Sequence, residues 1–258
     1  GMGTPVTQEV VDLKGIAYNP NWGYLNGEKR NLRIRKTEEP VFMLNHYWDV
    51  NDQLSINTNL GYQFGFISTT RMDNGGTRLF VDSNTGEQAY LGGARNPSPI
   101  YYQNLPSYYL RNPQPTPIDY QAAFLTQREF QNDGQFQWEA IYEANALNQN
   151  RGGNSTYALQ SDRVEDSQIM MNSILDYKLN DHITFNARLN YRNLKNENFA
   201  QLEDLLGGER FLDIDFFAEE SSLISGIGSE LAQSNLRTPN RTVQEGDRYK
   251  YNYQIEAE

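Results

Sequence analysis

The sequence predicts a mainly β fold: an antiparallel meander of long strands forming part of a transmembrane β-barrel, with long loops that carry short helices. Three observations predict it. One turn-and-strand phrase occurs twice, as DVNDQLSINTNLGYQF from Asp49 to Phe64 and as KLNDHITFNARLNYRN from Lys178 to Asn193. Each copy alternates apolar and polar residues over a span longer than the roughly 5–6-residue strand of globular domains. The connections sort by length, with both tight turns at one end of the meander and the long connections at the other.

The first strand is expected over 32–48, ending in EPVFMLNHYW before the Asp49–Asp52 turn. The second, over 53–69, carries Leu54, Ile56, Leu60, Tyr62, Phe64 and Phe66 on one parity, with Thr58 the break. Gln53, Ser55, Asn57, Asn59, Gly61 and Gln63 fill the other. Successive side chains point to opposite faces of a strand, so this run has one apolar and one polar face. At about 14 residues it exceeds the roughly 9–11 that a tilted strand needs to cross a bilayer. The third strand, over 158–178, leads through SQIMMNSILDYK into the second turn. The fourth, over 182–197, places Ile183, Phe185, Ala187, Leu189 and Tyr191 opposite His182, Thr184, Asn186, Arg188, Asn190 and Arg192. Arginines and amides do not suit lipid or a dry core; they suit a wet lumen, or the solvent face of a shorter sheet. A fifth strand, over 246–258, alternates Tyr249, Tyr251, Tyr253 and Ile255 with Lys250, Asn252 and Gln254. The face expected to meet lipid is therefore Leu54, Ile56, Leu60, Tyr62, Phe64, Ile183, Phe185, Leu189 and Tyr191. Each turn holds Asn-Asp, which tolerates the dihedrals of tight turns. Tyr47, Trp48 and Tyr177 sit beside the turns, as an interfacial girdle or simply as strand-favouring aromatics.

Segments 1–30, 71–156 and 199–244 are expected to be extracellular loops. The middle one is rich in Gly, Pro, Asn and Tyr, and loops this long are usually functional. Two helices are expected in it. One runs near Asp119–Phe130, with Tyr120, Ala123, Phe124 and Phe130 on its stripe; the other runs near Trp138–Leu147, with Trp138, Ile141, Tyr142 and Asn145. A third helix is expected from Phe199, Leu202, Leu205 and Leu206, closed by Gly207-Gly208. All three stripes read as packing faces.

Composition narrows the function. The 258 residues carry a net charge of −11, unlike a binder of duplex nucleic acid. Cysteine is absent, which excludes disulfides, thiolate metal sites and a Cys nucleophile. Mean hydropathy is −0.74, and no run approaches the roughly 20 apolar residues of a helical span. There are 17 Tyr and 12 Phe with many Asn and Gln, as suits an outer-membrane barrel or a secreted β-sandwich. The start, GMGTPVTQEV, has no signal-peptide pattern, and RYKYNYQIEAE stops inside an alternating run. A piece of a longer protein, without signal peptide, is the expectation.

No enzyme chemistry is expected, and no cofactor. His46 and His182 have Asp49 and Asp181 nearby as partners but no Ser or Cys in a nucleophile pattern. Gly92-Gly93, Gly152-Gly153 and Gly207-Gly208 lack the phosphate-binding fingerprints and read as turns. Asp213, Asp215, Glu219 and Glu220 could offer oxygen ligands to Ca²⁺, but the pattern lacks a calcium-loop spacing and a solvated loop is the simpler reading. No metal site is therefore assigned.

Specific phrases then carry a resemblance. The stretch from Gly3 to Asp52, NPNWGYLNGEKRN within it above all, resembles the barrel of TonB-dependent receptors of the Bacteroidota type. YYQNLPSYYLRNP and QWEAIYEANALN resemble loop phrases that follow it in those receptors. The resemblance is weaker after Ser155. It implies a Gram-negative outer-membrane barrel embedded among lipid and lipopolysaccharide. It further implies active import of a scarce nutrient, such as an iron chelate, a cobalamin, a glycan or a peptide, driven by the TonB complex through a plug domain. No plug, TonB box or terminal aromatic strand is seen in this sequence. In such a receptor the ligand first meets the outer loops, which makes Arg95, Tyr101, Tyr102, Tyr108, Tyr109 and Arg111 the candidate contact surface. Self-packing of a large loop competes with that reading. A non-transporting surface adhesin or secreted carbohydrate-binding module is the alternative to the transporter.

Overall fold

The computed structural model describes residues 6–76, 78–81, 86, 88–91, 94–213 and 241–257. In chain order the elements are α1 (Gln8–Lys14), β1 (Trp22–Leu25), β2 (Glu28–Asn31), β3 (Arg35–Glu38), β4 (Val41–Asn51), β5 (Leu54–Asp73), β6 (Arg78–Val81) and β7 (Gln88–Leu91). There follow a 3₁₀ turn (Tyr102–Asn104), α2 (Pro106–Tyr109), α3 (Pro117–Asn132), α4 (Trp138–Gln149), β8 (Ala158–Asn180), β9 (Ile183–Asp204), β10 (Phe211–Asp213), β11 (Arg241–Val243) and β12 (Arg248–Ala257). The protein is mainly β, with antiparallel sheets. It divides into two units. One comprises residues 1–33, 70–160 and 202–247; the other comprises 34–69, 161–201 and 248–258.

The second unit is built on a six-stranded sheet curled as half a barrel, in the order β12-β9-β8-β5-β3, with β4 also paired to β5. The repeated phrase folds the same way twice. The Asn51 side-chain oxygen accepts hydrogen bonds from the backbone N–H of Gln53 and Leu54, each at 2.9 Å. That of Asn180 accepts from His182, also at 2.9 Å. An asparagine two residues ahead closes a tight turn on its own backbone, which is why the sequence repeats Asn there.

The expected strand 32–48 is not continuous. β3 and β4 are separate, with Glu39 and Pro40 between them, because Pro40 has no N–H to give the ladder. Both still pair β5 in one register, Glu38 opposite Phe66 and Val41 opposite Gln63. Gly65 faces the break with φ +140°, and a Cβ there would lie 1.8 Å from the Glu38 carbonyl oxygen. Gly65→Ala should therefore separate β3 from β5 and cost about 3 kcal/mol, by strain and lost pairing. Urea unfolding followed by amide exchange at Arg35–Glu38 measures this.

β5, β8 and β9 are longer than expected, at 20, 23 and 22 residues. The helix expected from Phe199 to Leu206 is absent. Phe199 and Leu202 lie in β9, and Leu206 sits in a turn with φ 53°. Backbone pairing takes these residues instead: Ala200 lies opposite Tyr249, and Leu202 N–H bonds Asp247 O at 3.0 Å. Nor are the first and third expected loops structureless, for 1–30 holds α1 and the β1–β2 hairpin while 199–244 holds β10 and β11.

The first unit carries the helices. α3 and α4 match the expected ones with slightly wider bounds. Thr116 and Asp119 form a reciprocal cap at the start of α3, with Pro117 at its first position. Hydrogen bonds from the Thr116 backbone and hydroxyl hold the Asp119 carboxyl below its usual range. A core of Leu32, Phe136, Trp138, Ile141, Tyr157, Leu159 and Leu206 packs around α4. Arg30 covers it from one side, with its guanidinium 4.3 Å from the Trp138 ring centre, and bonds Asp204 at 2.5 Å and the Tyr142 hydroxyl at 2.7 Å. A second cluster joins Val10, Leu105 and Phe130. The Glu9 carboxylate accepts from Ser107 N–H and Oγ at 2.9 and 2.6 Å, tying α1 to the start of α2.

Candidate functional sites: a two-faced sheet and a polar cleft

The register sorts the sheet chemically. Phe42 lies opposite Tyr62, Leu44 opposite Leu60 and Trp48 opposite Ile56, so β4 and β5 share one apolar face. The Phe42 and Phe64 rings stack at 6.1 Å, and Tyr62 and Phe64 at 5.1 Å. Leu60, Tyr62, Phe64, Ile183, Phe185, Leu189 and Tyr191 are all exposed, while Leu54 and Ile56 are half-buried. Phe42 is 62% exposed and Leu44 66%, which sets them apart from core residues. The sequence reading missed β4 as part of this face, because Val41, Met43 and Tyr47 blur its alternation.

The opposite face is polar and cross-linked. Asn172 bonds Asn190, Asn186 bonds Asp176, and Asn196 bonds Asp166. Arg192 donates to the Gln168 side chain at 3.0 and 3.2 Å. A concavity of about 580 Å³ opens beside Asn45, Asn59, Asn172, Asn190 and Arg192, with Met43 and Met170 flanking Gly61. At the end of the sheet away from the tight turns, charges replace apolar side chains. Arg163 stacks 3.7 Å from the Phe66 ring centre and pairs Glu165 at 2.8 Å; Arg248 pairs Glu165 at 3.1 Å and Glu197 at 3.6 Å; Lys195 pairs Glu197 at 2.7 Å.

In the first unit a polar cleft of about 550 Å³ lies between residues 95–104, α2, α3 and the α3–α4 turn. Two of the six candidate contact residues, Arg95 and Tyr109, line it. Arg95 Nη2 donates to Gln103 O at 3.0 Å and also to the Asn104 side chain. The others pack on one another nearby: Tyr108 meets Tyr102 and Tyr109 edge-on, each at 5.5 Å, and Arg111 stacks 3.8 Å from the Tyr108 ring centre. Tyr101 caps a turn, its N–H bonding Ser98 O at 2.9 Å. Thr126 and Glu129, one turn apart on α3, complete the cleft and escaped the sequence reading. Polar positions recurring on the outer face of an amphipathic helix were the available signal. At the cleft rim, burial pushes the Tyr18 phenol well above its ordinary pKa, with the Asp133 charge adding to the effect; Tyr18 donates to Gly134 O.

The remaining candidates were the two histidines, the glycine pairs and the acidic cluster. Among the described residues neither His46 nor His182 pairs with a carboxylate, against the expected partners Asp49 and Asp181: His46 lies 6.3 Å from the Trp48 ring and His182 sits in its turn. Asp49, three residues on from His46 in β4, falls on the opposite face of the strand, and Asn180 rather than Asp181 bonds His182 N–H in the second turn. Gly152-Gly153 closes α4, both N–H groups bonding its last carbonyls, and Gly207 turns with φ 83°. Asp213 is buried opposite Arg241; Asp215, Glu219 and Glu220, like Gly92-Gly93, lie outside the described residues. Compared with protein-family models, with curated proteins and with solved structures, the chain finds no match.

Proposed function

We propose that this chain forms part of the wall and outer loops of a Gram-negative outer-membrane β-barrel importer. One observation carries the reading: an exposed apolar face backed by a polar, hydrogen-bonded face across strands of 20 to 23 residues. Water makes such an apolar face unfavourable, and lipid makes it favourable. From Leu54 to Phe66 the stripe runs about 40 Å along the strand at ~3.3 Å per residue, or about 28 Å of height at a tilt of about 45°. An outer-membrane barrel presents an apolar band of about 25 Å. Charged residues begin at Arg163 and Glu165, where such a band ends. The polar face then lines the lumen, and the cleft meets the nutrient. Energy comes from the TonB complex through a plug, a step supported only by the resemblance of Gly3 to Asp52.

The absence of cysteine makes the test clean. Leu60→Cys, Leu189→Cys, Asn59→Cys and Asn190→Cys are reconstituted in lipid vesicles and treated with a membrane-impermeant maleimide. The leucine positions should stay unlabelled and the asparagine positions should react. Equal labelling of all four, in a chain that stays monomeric in water, would establish the secreted or surface-binding alternative instead.

A further inference from the structure

We infer that the cleft between the proline-rich segment and α3 is a binding site for a neutral, hydroxyl-rich ligand, a short oligosaccharide. This rests on the proposal above only in making the ligand the imported nutrient. The argument starts from which polar groups the protein leaves unused. Asp133 is occupied, accepting from Gln135 N–H at 3.3 Å and from the Gln137 amide at 2.6 Å. Arg95 uses one terminal nitrogen on residues 103 and 104, which holds its guanidinium in place. The Gln103 amide, the Tyr109 hydroxyl, the Thr126 hydroxyl and the Glu129 carboxylate line the same cleft and bond nothing among the described residues. They supply planar amide and carboxylate acceptors, an amide donor and two hydroxyls, the complement of a ligand whose every hydroxyl both gives and takes a hydrogen bond.

Charge removes the competing chemistries. Arg95 lines the cleft with Glu129 and Asp133, and the Lys14 ammonium lies at its edge, donating to Asp133 O at 2.9 Å, so the charges balance. An anionic metal chelate or a free carboxylate would find no net positive charge to offset its own, whereas a neutral ligand needs none. Strand addition of an extended peptide needs a free strand edge, and helices and turns form this cleft. Pro97, Pro99 and the Tyr109 ring provide apolar surface for the C–H faces of a sugar ring. A volume of about 550 Å³ falls within the ordinary range for small-molecule sites.

The test uses the full chain in detergent solution, where strand insertion has no bearing on the readout. Arrayed short neutral oligosaccharides are screened, with a tripeptide and ferric citrate beside them, and hits are titrated calorimetrically. At least one oligosaccharide should bind. Glu129→Ala and Gln103→Ala should each weaken it roughly tenfold, the scale of a lost charged or amide hydrogen bond. Both substitutions remove side chains without intramolecular partners, so the melting temperature should not move. Tyr24→Ala, exposed outside the cleft, should leave affinity unchanged. Binding of only the tripeptide or ferric citrate, oligosaccharide binding indifferent to both cleft variants, or no binding by any probe would overturn the inference. None of those results touches the maleimide pattern, on which the membrane reading stands or falls.

Discussion

Asn145→Ala is expected to destabilise the helical unit by about 4 kcal/mol, the largest effect of any single polar side chain there. The side chain is 0% exposed and serves five backbone groups. Its nitrogen donates to the carbonyls of Tyr157, Leu205 and Leu206 at 2.9, 2.9 and 3.1 Å. Its oxygen accepts from Thr156 and Tyr157 N–H at 2.8 and 2.9 Å. Alanine leaves these groups buried without partners, and each such group costs about 1–3 kcal/mol before relaxation and entering water recover part of it. Asn145→Asp separates the two halves of the role. It keeps the acceptor and loses the donor against three carbonyls, so it should be at least as damaging at neutral pH. Urea unfolding followed by Trp fluorescence reads the loss, since Trp138 is fully buried in the same core. Limited proteolysis should open the chain near residues 150–157, which Asn145 and Asn148 together hold against α4. A loss below about 1 kcal/mol would mean that other contacts hold that loop.

Asn145 also marks where sequence reading stops. It falls on the stripe Trp138, Ile141, Tyr142, Asn145, so periodicity places it correctly on the buried face. Periodicity says nothing of its partners, which are Thr156, Tyr157, Leu205 and Leu206. What the sequence does reveal is local. The turn asparagines bond within two or three residues, so their repetition is legible, and strand parity survives because the pleat enforces it. The Trp22–Asn31 hairpin was legible too: Asn26 and Gly27 carry the positive φ values that an Asn-Gly turn adopts, 51° and 81°. The length of the segment hid it. Phe199–Leu206 misled for the opposite reason. Apolar residues at helical spacing were pulled into a strand by pairing with residues 247–249, a contact that local periodicity cannot report. The cleft is non-local in the same sense. Arg95 and Tyr109 were chosen from one Tyr-rich stretch, but Glu129 reaches the site only because α3 packs against that stretch.

Leu60→Lys should prevent or strongly weaken folding into lipid vesicles, by about 2–4 kcal/mol if the residue sits near the bilayer midplane. Leu60 stands in the middle of the stripe, opposite Leu44 and flanked on β5 by Thr58 and Tyr62. In the proposed lipid-facing wall a lysine there would put an ammonium in hydrocarbon, with neither end of the stripe close enough for its stem to reach water without distorting the bilayer. Asn59→Lys is the paired control. Asn59 lies opposite Asn45 on the polar face, where a cation remains hydrated, and its effect should stay within about 0.5 kcal/mol. The sign of the difference is what discriminates. In a water-soluble sheet Leu60 is 42% exposed, so lysine would be harmless there and would improve solubility by breaking an apolar patch. Refolding both variants, carried in the complete barrel that the proposed function requires, from urea into vesicles, with the heat-modifiable shift in gel mobility as the readout of barrel closure, gives the answer. Loss of folding in Leu60→Lys alone fits a lipid-facing wall; equal folding of the two variants, or better behaviour of Leu60→Lys, does not.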